Sequence, residues 1–285
     1  MFADDLKAYH TSHIGSNFNV PLQSFVEKLT RYCNINSLKI AGEKCSVLHI
    51  GPKNPCYNYT IENSNIPNIE KGKPVRDLRI YFKNDLKWNT HIDIIVKNAR
   101  RTSFALLRSL KSNDPQFLVN MFKTYVLPIL EFASPVFCPY YAKDIDLMEK
   151  VQRDFLRMVY RRLPRHLKPP NSDNIPPYAD LLTTFKLDRL DLRRLKSCLS
   201  LFHAYLHGQL PLDTHAFKIM TNRYNENKPK IYIPPTTKDA RFNSFFVRFA
   251  AIYKDLDPEL KCANPVEFSS LLRTNDFSKY IKESV

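Results

Sequence analysis

The chain has 285 residues, 44% of them hydrophobic, which is enough to fill the core of one large domain or two small ones. Five glycines and twenty prolines exclude a collagen-like or Gly/Ser-linker protein and point to discrete elements joined by stiff connections. A formal net charge of +15 makes nucleic acid the first partner to consider and an acidic membrane surface the second, with plain solubility as the alternative use of the excess Lys and Arg.

The opening run Phe2-Ala3-Asp4-Asp5-Leu6-Lys7-Ala8-Tyr9 sets apolar residues around a tight acidic pair, as at a strand-turn-strand junction. Over residues 21–33, Leu22, Phe25, Val26, Leu29 and Tyr32 recur at helical spacing and predict an amphipathic helix. Residues 38–40, 45–50, 57–61 and 75–82 read as short strands, punctuated by Gly42 and by Gly51-Pro52. Residues 92–110 predict a long helix, with Ile92, Ile95, Val96, Ala99, Ser103, Leu106, Leu107 and Leu110 on one face and Lys97, Arg100, Arg101 and Arg108 on a basic flank.

Two more helices follow, over residues 115–127, ended by Pro128, and over 143–160, with Ile145, Met148, Val151, Phe155 and Val159 as the apolar stripe. Residues 164–177 hold five prolines and read as a linker and domain boundary. Helical patterning resumes over 178–206, with Leu181, Leu182, Leu187, Leu190, Leu195, Leu199, Phe202 and Leu206 as core candidates and Gly208 as the stop. Residues 221–238 read as an irregular loop, and 242–256 as an aromatic-rich helix.

The basic excess is uneven: +2 over residues 1–75, +4 over 76–150, +6 over 151–210 and +3 over 211–285. The six cysteines are widely spaced, without a Cys-x-x-Cys pair or a signal-peptide pattern ahead of them, and read as reduced, mostly buried thiols. His203 and His207 stand four apart on a predicted helix, but two ligands hold zinc poorly, so core or surface histidines are expected there. The most apolar stretch, residues 117–142, is broken by Lys123, Pro128, Glu131, Pro135 and Pro139, so no membrane span is expected.

An acidic pair on a rigid turn suits two-metal phosphoryl transfer, because it can hold magnesium against a hydroxyl and a triphosphate; taken alone, Asp-Asp is more often a solvated turn. Here Phe2-Ala3-Asp4-Asp5 resembles the Tyr/Phe-x-Asp-Asp box of reverse transcriptases, and further landmarks follow it in order. Leu29-Thr30-Arg31-Tyr32-Cys33, Asn36-Ser37-Leu38-Lys39-Ile40 and Lys44-Cys45 are similar to the Trp-Cys, Asn-x-Leu-x-Leu-Asn and Lys-Cys elements of LINE-type enzymes, with Tyr32 in the tryptophan's place. Val75-Arg76-Asp77-Leu78-Arg79-Ile80, then Leu86 and His91-Ile92, resembles the Val-x-Asp-Leu-Gly-Val stretch near the primer grip, with Arg79 where glycine is typical.

The two most specific matches come later. Tyr125-Val126-Leu127-Pro128-Ile129-Leu130-Glu131-Phe132-Ala133-Ser134 resembles Tyr-Val-x-Pro-x-Leu-Glu-Tyr-x-Ser, and Glu149-Lys150-Val151-Gln152-Arg153-Asp154-Phe155 resembles Glu-x-Val-Gln-Arg-x-Phe. Tyr178, Leu181-Leu182, Leu187, Leu190 and Arg193-Arg194 continue the series, although Asp180 stands near where the family often has a basic residue. The resemblance is to the jockey and CR1 kind of non-LTR retrotransposon; it covers almost the whole chain and weakens over roughly residues 208–237.

The resemblance implies an α+β, mainly helical fold: a partial palm of short antiparallel sheet plus helix over residues 1–88, a helical thumb over 89–163, the linker at 164–177 and a helical C-terminal region over 178–285. It implies RNA-directed DNA synthesis, with magnesium held by Asp4 and Asp5 and with Lys44 near the incoming nucleotide, unless Lys44 is simply an exposed lysine before a strand. The family's third carboxylate and its fingers belong to sequence ahead of the box, so this chain is expected to be inactive by itself. The alternative is a non-enzymatic nucleic-acid-binding protein or a decayed relic. In the binding form Arg100, Arg101, Arg108, Arg153, Arg157, Arg161 and Arg162 grip the phosphates of RNA or DNA. Leu127, Leu130 and Phe132 are expected in the core and Glu131 beside a basic helix, while Gln152 and Arg153 meet either nucleic acid or solvent. An intracellular location, cytoplasmic or nuclear, goes with this reading.

Overall fold

The computed structural model describes residues 5–11, 19–168, 174–210, 218–220, 230–233, 235 and 239–281. The chain divides into two compact units, residues 1–87 and residues 88–285. The class is α+β and mainly helical, with strands confined to two-stranded antiparallel pairs among the described residues.

In the first unit, α1 (Asn19–Ile35) forms where the apolar spacing predicts it. Its Gln23 side chain accepts from the Thr60 amide at 3.0 Å and donates to the Thr60 carbonyl at 3.1 Å, so one amide side chain copies a strand's backbone pairing and ties the helix to β1 (Thr60–Ile61). β1 pairs with β2 (Ser64–Asn65), and β3 (Val75–Asp77) pairs with β4 (Ile80–Phe82). The β3–β4 register leaves Leu78 and Arg79 as a two-residue turn, at φ 42° and 68°. Both φ values are positive, as a tight primed hairpin turn requires.

The strands expected at residues 38–40 and 45–50 are replaced by extended chain, a 3-10 turn at Gly42–Lys44 and a single parallel bridge between Val47 and Asn68. A strand is fixed by a partner rather than by its own propensity, and no described segment lies alongside these residues as a full partner. Among the described residues of this unit only Tyr59 and Ile80 are buried hydrophobics, while Phe25, Tyr32 and Ile35 of α1 stay exposed.

The second unit opens with α2 (Asn89–Ser109), then α3 (Pro115–Tyr125) and α4 (Leu127–Glu131). Asp114 caps α3 by accepting from the Gln116 amide, with Pro115 in the first turn, where its missing N–H costs nothing. Pro128, expected only to end a helix, also opens one, because it sits in the first turn of α4. α5 (Ala142–Arg162) follows, and then α6 (Tyr178–Phe185) and α7 (Leu190–Leu206), which together occupy the single helical stretch read from sequence. They separate at Lys186, which takes a left-handed φ of 52°, with its own amide and that of Leu187 both returning to the Leu182 carbonyl.

One hydrophobic core gathers Ile92, Val96, Phe122, Leu130, Phe137, Met148, Phe155 and Leu156 with Leu181, Phe185, Leu187 and Leu190. It therefore runs across the proline-rich stretch at 164–177, joining the helices before it to those after it. Phe122 and Phe155 stack within it at 4.4 Å between ring centres, and each such buried side chain contributes about 1.5–3 kcal/mol. A second core holds Leu195, Leu199 and Phe202 of α7 against α9 (Phe245–Asp255), α10 (Pro258–Cys262) and α11 (Pro265–Thr274), numbering the short turn Asp239–Phe242 as α8 and the pair Lys218–Met220 and Lys230–Tyr232 as β5 and β6. Asn264 and Glu267 close a reciprocal capping box at the start of α11. Most of the loop expected at 221–238 lies outside the described residues.

Candidate nucleic-acid interface

α2 buries Ile92, Ile95, Val96, Ala99, Ser103 and Leu107, and so turns the intervening positions outward. Lys97, Arg100, Arg101, Phe104 and Arg108 are all exposed, and at 3.6 residues per turn they fall on one face about 100° wide. None of these four cations takes part in an ion pair among the described residues. α2 carries a single acidic residue, Asp93, which is exposed one turn before Lys97 on the same face, so the stripe as a whole keeps a net positive charge.

α5 divides its arginines between two tasks. Arg157 and Arg161 are exposed. Arg153 is half-buried, pairs with Asp146 at 3.0 Å and lies 5.8 Å from the centre of the Tyr178 ring. Arg162 donates to the Leu110 carbonyl at 2.7 Å and to the Leu107 carbonyl, satisfying the open end of α2. Arg162 is thus a helix cap, and its bonds draw the last turns of α2 and α5 together, bringing Arg108 and Arg161 to the same end of the bundle.

In the first unit Asp5 is exposed and Lys44 is exposed on the Gly42–Lys44 turn, whereas Asp4 lies outside the described residues. Among the described residues no three His, Cys, Asp or Glu side chains cluster closely enough to hold a metal ion. No helix among them is long and apolar enough to cross a membrane.

The two most specific of the matching segments, residues 125–134 and 149–155, meet the Tyr178–Arg194 series within the second unit. Glu131 meets Arg193 of α7 through two bonds, at 2.5 and 3.2 Å. Arg194, buried beside it, donates to the Leu130 and Phe137 carbonyls and lies 4.4 Å from the centre of the Phe137 ring. Glu149 is buried on α5, accepts from Tyr178 Oη and from the Leu190 amide, and so caps the start of α7 from a neighbouring helix. Burial pushes its carboxyl above the ordinary carboxylate range, and the bonds from Tyr178 and Leu190 pull it part of the way back. Gln152 is fully buried and donates to Tyr178 Oη and to the Asp188 carbonyl, both at 3.0 Å, so it meets neither solvent nor nucleic acid.

The pairing of Glu131 with a basic helix was expected from sequence; the roles of Glu149, Gln152 and Arg194 were not, yet the signal was present. Glu149 and Gln152 fall among Met148, Val151, Phe155 and Leu156 at helical spacing, and Arg194 lies four residues from both Leu190 and Cys198. Polar residues inside an apolar stripe mark buried bonds. His203 is a further case: it is fully buried, Nε2 bonds the Ala263 carbonyl at 2.9 Å and Nδ1 bonds Tyr253 Oη at 2.8 Å. A carbonyl only accepts, so the proton sits on Nε2 and Nδ1 accepts from the tyrosine.

No family model and no solved structure matches the chain. A Caenorhabditis elegans protein described as "Uncharacterized protein B0403.1" is 25% identical over 144 residues, which cover 50% of this chain and 69% of that protein.

Proposed function

We propose that this chain is a reverse-transcriptase-derived nucleic-acid-binding protein of non-LTR retroelement origin, in which the helical unit grips the backbone of RNA or DNA and the 285-residue chain does not polymerise by itself. The observation that carries the reading is the exposed stripe of Lys97, Arg100, Arg101 and Arg108 on α2, four cations with no ion-pair partner among the described residues. A helix face of this kind gains from each phosphate it neutralises by releasing condensed counterions. Arg157 and Arg161 extend the basic surface, whereas Arg153 and Arg162 serve the fold.

The ancestry draws support from Glu131, Glu149, Gln152, Tyr178, Arg193 and Arg194, which the resemblance places in separate motifs and which lock the same helices together. In this reading residues 1–88 descend from a palm, with Asp4 the main magnesium ligand, Asp5 its partner and Lys44 beside the incoming nucleotide. Magnesium there would neutralise charge on the transferring phosphoryl group. Two carboxylates leave most of an octahedral magnesium shell to water, and two-metal transfer needs ligands fixed to within a fraction of an ångström.

A gel-shift and a primer-extension assay on one RNA template, with magnesium, test both halves. The expected result is a shifted complex without extension. Template-dependent extension that is lost in Asp4→Ala would overturn the inactive half, and the absence of any shift at low salt would overturn the binding half.

A further inference from the structure

Phe104 stands in the middle of the cationic stripe and is 61% exposed. It is the one large hydrophobic side chain that α2 leaves exposed, and it sits on the charged face rather than beside the buried one. Arg100, Arg101 and Arg108 lie three or four residues from it and so share its face of the helix. α5 offers a milder parallel, with Met158 42% exposed three residues before Arg161.

From this juxtaposition we infer that the α2 face takes a single-stranded segment of nucleic acid, with one base stacked on Phe104 and the flanking phosphates on Arg100, Arg101 and Arg108. The inference rests on the nucleic-acid reading above and makes it specific. In a duplex the base faces are covered by their neighbours, so a solvent-facing ring finds nothing to stack on; an unpaired base offers its whole face, whatever its identity. Lys97 to Arg108 spans about 16 Å along the helix, which matches about five stacked nucleotides. The site therefore selects strandedness rather than sequence.

The test uses the full chain and fluorescence anisotropy, with a labelled 12-nucleotide single strand, as RNA and as DNA, and the same sequence as a duplex. Phe104→Ala is expected to weaken both single strands by about tenfold, within the range for loss of one stacked base, while leaving duplex affinity and the salt slope unchanged. Phe104→Tyr should restore single-strand affinity. If the wild type binds and Phe104→Ala changes nothing, or weakens single strand and duplex alike, the stacking inference falls while the nucleic-acid reading stands, and the ring is left as a contact for a protein. If the wild type binds neither form at low salt, both fall.

Discussion

Glu149 of α5 and Tyr178 of α6 share a hydrogen bond of 2.5 Å inside the first core of the helical unit, with the tyrosine as donor and the Leu190 amide completing the carboxylate's shell. Three helices meet at that carboxylate: the one that carries it, the one that supplies the phenol and the one whose first amide it caps. The phenol in turn is held by Gln152, and burial together with the neighbouring carboxylate pushes its pKa well above the ordinary tyrosine range.

Removing the phenol oxygen tests what this junction contributes. Tyr178→Phe keeps the ring but leaves a buried carboxylate and the Gln152 amide each short of one partner, so the variant should lose about 1.5–3 kcal/mol of stability. Urea unfolding followed by circular dichroism measures it. A change below about 0.5 kcal/mol would mean that the junction is not a structural lock.

The β3–β4 turn makes a second, independent prediction. Arg79 stands at φ 68°, a region where a Cβ costs about 1–2 kcal/mol and where glycine pays nothing of the kind. Arg79→Gly should therefore slow amide exchange in the hairpin, at Ile80 and Phe82, whose amides face the partner strand, by severalfold. Faster exchange in the variant would show that the arginine side chain holds the turn.

Acid should weaken the helical unit in a defined window. Burial holds both His91 and His203 at a pKa of about 4, against an ordinary 6.5, with Arg194 adding to the effect at His91 and His207 at His203. Between pH 6.5 and about 4 the unfolded chain therefore binds more protons than the fold, and stability falls as pH drops through that range, by up to about 3 kcal/mol per histidine. Glu149 acts in the opposite sense. Its raised pKa contributes stability that is present at low pH and lost as pH rises through the raised value, so it offsets part of the acid loss. Urea midpoints at pH 7 and pH 5 should differ less in His203→Gln than in the wild type. Equal differences in the two proteins would contradict the assignment.

Helix content was legible in the sequence because the apolar face of a helix repeats every few residues: α1, α2 and α5 lie where Leu22, Ile92 and Val151 set the period, and α3 lies in the span that Pro128 closes. The gap between α6 and α7 was not legible, since Lys186 adopts a left-handed conformation that glycine usually marks and that only the packing of Leu187 and Leu190 explains. The strands at 38–50 failed for the converse reason: local propensity was present and a partner was not. Of the candidate interface, the basic flank of α2 was readable residue by residue. The separation of Arg153 and Arg162 from Arg157 and Arg161 was not, because it depends on Asp146, Leu107 and Leu110 lying within reach in three dimensions.

The most direct measurement is the salt dependence of nucleic-acid binding by the full chain, for the wild type and for the variant Lys97→Gln, Arg100→Gln, Arg101→Gln, Arg108→Gln. If the α2 stripe is the interface, log affinity for a single strand should fall linearly with log salt in the wild type, and removing four phosphate contacts should flatten that slope by about 3. A variant that keeps the wild-type slope, or wild-type binding that does not respond to salt, would contradict the account.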